Sequence, residues 1–568
     1  MAATTPAANT AHDSNLLNEK EIAVPRSIGS SDGKTQTDDQ AAAAAAAGGD
    51  DAWAENPDQE YASGGKLALI MTALCAATFL VALDRTIIAT AVPRITADYH
   101  ALDDISWYAS AYLITSCATQ LLWGRIYTFY STKMCYIVAI VIFEVGSAVC
   151  GASPTSTGFI IGRAIAGLGS AGIFSGSTVI LTQILPIQKR PMVVGLMGSM
   201  FGISSIIGPL LGGAFTDHVT WRWCFYINLP IGGVVLAILV FFLQVPSTKD
   251  KQTLKRQFIR LDPIGTLFFL PGIICFLLAL QWGGAKYPWN SGRVIALFVI
   301  SGVLIIAFIG VQIWRQEDAT IPPRIAKQRS VTFGTFFSGM IGAGLISMLY
   351  TLPLWFQAVK GRSAIQSGID TIPLVLALVV GSIFSGMIIT RTGHYIPFMY
   401  LSTIFMSVGA GLTTTFKVNT AHPAWIGYQI LFGFGLGIGM QQPSLAAQNV
   451  LDKKDISTGI AMMFFAQSLG GAIFICVSQS IFNNFLRNGL SKIDGVDVQG
   501  IIYNGAVDLW RVVSEAKLPE VLVVYNYALY KAFIVTLAAA CFMIEPHWKK
   551  KKEEAAPQEE VKDAEAQV

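Results

Sequence analysis

Leu67-Ala-Leu-Ile-Met-Thr-Ala-Leu-Cys-Ala-Ala-Thr-Phe-Leu-Val-Ala-Leu-Asp84-Arg-Thr-Ile-Ile-Ala-Thr90 decides the fold. It holds two charged residues, adjacent to each other, and is otherwise dominated by apolar side chains. A bilayer core about 30 Å thick asks for roughly 20 such residues in a helix. A carboxylate in that setting costs roughly 2.5–3.5 kcal/mol on insertion scales, so a buried membrane acid is usually a working one, most often a proton or ion site. The stretch therefore predicts a membrane helix that carries a functional acid, Asp84.

Working outward, the same pattern recurs along the chain. Spans are predicted at 67–90, 106–123, 134–152, 158–184, 192–215, 223–244, 262–282, 293–314, 331–356, 370–390, 396–416, 425–447, 457–482 and 521–544. The expected fold class is an all-α polytopic membrane protein of about 14 transmembrane helices. Composition agrees: 53% of residues are hydrophobic and 13% are charged, against about 25% charged in soluble domains. The net charge of +3 gives no reason to expect nucleic acid as a partner. The eight cysteines lie in or beside apolar runs without a C-x-x-C pair or a Cys/His cluster. They read as small hydrophobes, so no metal site and no disulfide framework is expected.

Basic residues fall in alternate loops: Arg125 and Lys133, Lys189 and Arg190, Lys249 to Arg260, Arg315 to Arg329, then Lys453 and Lys454. By the positive-inside rule both termini are expected in the cytoplasm. The polar stretch 1–65 reads as a disordered cytoplasmic tail, and 546–568 as a second one. Between them a six-helix half is expected at 66–245, a two-helix insert with its loops at 246–325, and a second six-helix half at 326–545, with a long external loop at 483–520.

A weak internal repeat supports two halves. Gly124-Arg-Ile-Tyr-Thr128 follows the second span and Gly386-Met-Ile-Ile-Thr390 follows the tenth; each starts on Gly and places Thr four residues on. Gly195 and Gly459 repeat at a similar offset. Repeated halves are a mark of secondary transporters, with the substrate site at their interface.

Several motifs go further. They are Leu83-Asp-Arg-Thr-Ile-Ile-Ala-Thr-Ala-Val-Pro93 and Gly162-Arg-Ala-Ile-Ala-Gly-Leu-Gly-Ser-Ala-Gly172. With them come Gly202-x5-Gly208-Pro209-x2-Gly212-Gly213, Trp221-Arg-Trp-Cys-Phe-Tyr-Ile-Asn-Leu-Pro230 and Tyr350-Thr-Leu-Pro-Leu-Trp-Phe-Gln357. On these motifs the chain resembles the major facilitator superfamily. More narrowly it is similar to the fourteen-span drug–proton antiporters, in their fungal toxin and multidrug efflux subgroup. The resemblance implies two six-helix halves plus two extra central helices. It also implies a proton-coupled exporter of hydrophobic small molecules, with the fifth-span motif associated with export. Such a protein is not an enzyme, needs no cofactor, works as a monomer and sits in the plasma membrane, with the vacuolar membrane as the alternative. Within transport, uptake of a siderophore-like chelate is the competing reading; outside it, a non-transporting membrane sensor.

Candidate site residues follow. Asp84 lies about 25 Å along an outward span and Arg163 about 8 Å below the outer surface on an inward one, at about 1.5 Å per residue. The two depths nearly coincide, so the acid and the guanidinium can pair, and proton binding would break the pair. A static bridge between helices is the alternative, and Arg85 is a rival partner about 100° around the helix. Glu144 is expected either to make an inter-helix hydrogen bond or to serve as a second proton site. Gly202, Gly208, Pro209, Gly212 and Gly213 predict a close-packed, kinked seam in the fifth span.

In the resembled fold the spans carrying Gln120, Phe201, Tyr350, Gln441, Gln442, Phe464 and Gln467 line the central cavity. An apolar cavity with a few amides suits bulky amphipathic ligands, although a residue of this kind taken alone is more often packing than contact. The loop motif Gly124, Arg125 and Lys133 departs from the family. Thr128 and Phe129 stand where it carries Asp and then Arg, so the carboxylate that ties the loop to a neighbouring helix is missing. Arg125 and Lys133 are expected at the headgroups. No phosphate-binding loop occurs, and Gly167-x-Gly169-x-x-Gly172 lies inside a membrane span, so ATP-driven pumping is not expected.

Overall fold

The computed structural model describes residues 64–543, apart from 102–103, 246–255, 257–258, 285, 495, 499 and 502–508. The tails predicted at 1–65 and 546–568 lie outside the described residues, except for Gly64 and Gly65, which open the first helix. So do Lys249, Lys251 and Lys255.

A helix stands at each predicted span. They are α1 (Gly64–Tyr99), α2 (Ile105–Phe129), α3 (Thr132–Ala152), α4 (Ser156–Ile184), α5 (Arg190–His218) and α6 (Asn228–Phe242), then the insert pair α7 (Pro263–Trp282) and α8 (Gly292–Arg315). The second set is α9 (Arg329–Lys360), α10 (Ile372–Thr392), α11 (Ile396–Thr413), α12 (His422–Gly439), α13 (Ile456–Leu490) and α14 (Leu518–Cys541). Among the described residues, 12 helices are long and apolar enough to cross a membrane. The two that fall short are α2, rich in Ser, Thr and Tyr, and α12, rich in Gly. Helix α13 runs on to Leu490, past residue 482, so the following connection starts later than the sequence pattern suggests.

Apolar burial forms two main cores. One gathers α1 to α4 with α7 and the start of α13; the other gathers α9 to α14. Phe201 of α5 belongs to the second core rather than the first. A smaller aromatic cluster at the far end of the first half joins Phe159, Trp221 and Phe225. The Trp221 indole donates to Asp98 at 2.8 Å, and Arg222 donates to the carbonyls of Gly151 and Ser153 at 2.8 and 2.7 Å.

The insert is anchored at Asp262, a left-handed residue (φ 52°) that caps α7 by accepting from the Gly265 amide at 2.9 Å. Its other oxygen accepts from Gln312 at 2.8 Å and from the Thr320 amide and hydroxyl at 2.9 Å each. Burial alone would push this carboxyl up; the hydrogen bonds outweigh it and hold it below the usual carboxylate range. One carboxylate thus ties the start of α7 to the end of α8.

Candidate functional site

The centre of the first half is an ion pair. Arg163 Nη1 lies 2.6 Å from Asp84 Oδ2, with side-chain exposures of 1% and 0%. At those exposures neither charge has access to bulk water. Good geometry and extra hydrogen bonds are what make such a pair tolerable, and both are present. Arg163 Nε donates to the Tyr108 carbonyl at 2.9 Å, and its guanidinium stacks over the Tyr112 ring at 4.5 Å. Asn228 of α6 donates to the other Asp84 oxygen at 3.4 Å and to Ser147 of α3 at 3.1 Å. Sequence reading missed Asn228, Tyr108 and Tyr112. Asn228 carried a signal, as a lone amide opening an apolar span.

Arg85 does not compete for Asp84. It points the other way and donates to Ser116 Oγ at 3.1 Å. Glu144 makes no inter-helix hydrogen bond: both of its oxygens are buried without a partner among the described residues, against Gly232 of α6.

The glycines of α5 face two different helices. A Cβ at Gly212 would overlap Thr90 Oγ1 and sit 2.7 Å from the Ile87 carbonyl of α1; at Gly208 it would overlap Thr86 Oγ1. At Gly202 it would come 2.5 Å from Val379 of α10, in the other half. Gly213 faces open space, with nothing within 4 Å, and so is no part of the seam. Pro209 lies inside α5.

At the ends that carry the basic loops, the two halves meet twice. Gly124 lets α2 approach α13, since a Cβ there would lie 2.5 Å from Ala461 Cβ, and Thr128 Oγ1 lies 2.6 Å from Ser457 Oγ. Gly386 lets α10 approach α5, with a would-be Cβ 2.6 Å from the Pro191 carbonyl, and Thr390 Oγ1 accepts from the Met192 amide at 3.1 Å. The Gly-x3-Thr repeat is therefore one crossing used twice. The missing family carboxylate is replaced at Thr128 by a hydroxyl tie.

Arg125 and Lys133 both donate to backbone carbonyls of the protein. Arg125 is buried, donates to the carbonyls of Arg260 and Glu317 at 3.0 and 3.4 Å, and lies over the Phe129 ring. Lys133 donates to the Val240 carbonyl at 2.7 Å, at the end of α6. Both are drawn in by unpaired carbonyls, which attract cations at loop and helix ends.

The amides expected in the cavity divide. Gln120 is buried between α2 and α4, donating to Ser175 Oγ and, at 3.4 Å, to the Ala171 carbonyl. Gln442 is buried and donates to the Ile438 carbonyl at 2.7 Å. Neither is free to reach a ligand. Gln441 is half-buried beside Gly198, Gln467 is half-buried on α13, and Tyr350 is exposed on α9. Phe464 faces Phe174 of the first half, ring centroids 6.0 Å apart. Among the described residues no group of His, Cys, Asp and Glu could hold a metal ion.

The family model of the Major Facilitator Superfamily matches residues 74–475. The chain belongs to that superfamily. It is 57% identical over 499 residues to the rubrofusarin-specific efflux pump aurT of Gibberella zeae, covering 87% of this chain and 92% of that one. It is 49% identical over 488 residues to the efflux pump aflT of Aspergillus parasiticus, covering 85% and 95%. Among solved structures it resembles the human organic anion transporter MFSD10 (TM-score 0.55, 13% identity, 84% of this chain and 100% of that one). It also resembles the proton:xylose symporter XylE (TM-score 0.54, 12% identity, 84% and 95%). These two establish a shared fold. A facilitator-superfamily chain with these apolar helices is a multi-pass integral membrane protein.

Proposed function

We propose that this protein is a proton-coupled exporter of hydrophobic small molecules, of the kind that fungi make as toxins or secondary metabolites. Its place is the plasma membrane, and a single chain driven by the proton gradient suffices, without a cofactor. The reading rests on efflux pumps as relatives and, for coupling, on one observation: the fully buried Asp84–Arg163 pair. In this reading α2 and α12 also cross the bilayer, giving fourteen crossings, both tails in the cytoplasm, and halves at 66–245 and 326–545 around the insert 246–325.

On the basic side α2 meets α13 and α5 meets α10, and in this reading those two crossings are the closed gate. A proton reaching Asp84 cancels its charge and weakens its hold on Arg163, which stays seated on the Tyr108 carbonyl and the Tyr112 ring. Helix α1 is then free to shift against α4. Helix α5 moves with α1, because Gly208 and Gly212 leave no gap between them. Through Gly202 the same helix bears on α10, so the shift reaches the second half. Glu144, buried and without a partner among the described residues, is in this reading the second place on this path where a proton can reside.

The test is uptake of a fluorescent aromatic probe into inside-out vesicles with an acid interior. Asp84→Asn should bring uptake down to the level seen without a gradient while the protein stays inserted. Wild-type rates in Asp84→Asn vesicles would overturn the coupling.

A further inference from the structure

Arg85 is the charge this mechanism leaves over. It lies one residue beyond Asp84, in the middle of α1. Asp84 is taken by Arg163 and Asn228. Among the described residues no ion pair includes Arg85. Its only side-chain hydrogen bond there is to Ser116 Oγ, which also accepts from Ser170 at 3.1 Å. Its Nε is buried without a partner. The guanidinium lies against two rings, 5.4 Å from Tyr112 and 5.2 Å from Phe174. Phe174 in turn meets Phe464 of α13, so this corner opens on the interface between the halves. Arg85 as a whole residue is only half-buried, whereas the Asp84 and Arg163 beside it are fully buried.

Charges in a membrane interior pair with one another or serve a pathway. Asp84 is matched by Arg163, and among the described residues no carboxylate lies against Arg85. A guanidinium with its faces on aromatic rings keeps its donor edge free, and that edge matches a planar oxyanion. We infer that Arg85 is a cargo-binding residue. The cargo it selects is an aromatic molecule bearing an acidic group, a carboxylate or an ionised phenol. The acid meets the Arg85 edge while the ring system lies against Phe174 and Phe464. The assignment deepens the exporter reading above, and it rests on that reading for the word cargo.

Three probes of one shape test it: naphthalene-2-carboxylate, 2-naphthylmethanol and 2-naphthylmethylammonium, each titrated calorimetrically into the purified full-length protein. Wild type should bind the carboxylate at least tenfold more tightly than the ammonium. Arg85→Gln should cut the carboxylate-to-alcohol affinity ratio at least tenfold, and Arg85→Lys should restore a large part of it. Equal wild-type affinities for the three probes would overturn the inference without any variant being needed. So would a ratio unmoved in a folded Arg85→Gln protein. Vesicle uptake of the carboxylate separates this from the function itself. Preferential binding without gradient-driven uptake would sink the exporter reading and sustain the Arg85 site. Gradient-driven uptake of the alcohol with no preference for the carboxylate would sustain the exporter and overturn the site.

Discussion

In the first half, α1, α3 and α4 bury Asp84, Glu144 and Arg163; in the second half, the equivalent α9, α11 and α12 bury Ser347, Thr351, Ser402, Thr403 and Gln429 and no acid or base. At the basic ends the halves are instead alike, each supplying a Gly-x3-Thr crossing to the other. The repeat survives where backbones must meet and has been given up where charge must sit. The physical cause is the uneven cost of the two features. A glycine contact between helices costs little, so it can be kept twice. A buried ion pair has a large desolvation penalty to offset, so one suffices.

The largest effect expected tests the charged side of that contrast. Asp84→Asn and Arg163→Gln should each cost about 3–5 kcal/mol in stability, since each leaves a partner unpaired. The double variant should cost clearly less than their sum, as read from melting in detergent. Additive losses would mean that the two residues do not act as a pair, and the halves would then differ in composition without differing in chemistry.

The next effect concerns the seam. Gly212→Leu should overpack α5 against α1 and cost roughly 1–3 kcal/mol, with loss of transport. Gly213→Leu, which meets nothing within 4 Å, should melt like wild type. Equal losses at the two positions would remove the seam from the mechanism.

A smaller effect probes the symmetric feature. Thr128→Val and Thr390→Val each delete one hydroxyl tie, worth about 1 kcal/mol, so each should speed amide exchange near the α2–α13 or the α5–α10 crossing roughly fivefold. The two should agree within a factor of about two if the crossings are equivalent. A response at only one would show that the gate is as lopsided as the core.

The smallest effect belongs to the linker. Arg324 bridges Glu317 and Asp455 at 3.1 and 2.8 Å, with its side chain 43% exposed. Arg324→Gln should therefore cost at most about 1 kcal/mol, and less in high salt. A larger, salt-insensitive loss would place the insert among the elements that hold the halves together.

The helical class, the position of each long helix, the family and the Asp84–Arg163 pairing were legible in the residues. Apolar run length, loop charge and depth along a helix are one-dimensional quantities, and the bilayer turns them directly into structure. Other readings failed because they depended on rotation about a helix axis or on loop paths. Gln120 looked like a cavity amide until Ser175 of a neighbouring helix claimed it, and Gln442 until the Ile438 carbonyl one turn back did. Gly213 looked like part of the seam, but its neighbour Gly212 takes the contact. Arg125 looked like a headgroup anchor until the insert brought two carbonyls to it.

By itself, then, the sequence determined that the chain crosses a membrane many times in two related halves, and that one acid is buried in its first span. Only the tertiary structure decided the partners that chain position does not reveal: Asn228 as the second partner of Asp84, none among the described residues for Glu144, and Ser116 with two aromatic rings for Arg85. The reason is that hydrophobicity sums along the chain, whereas hydrogen bonds and ion pairs form across it and are fixed to within an ångström by how helices rotate and cross.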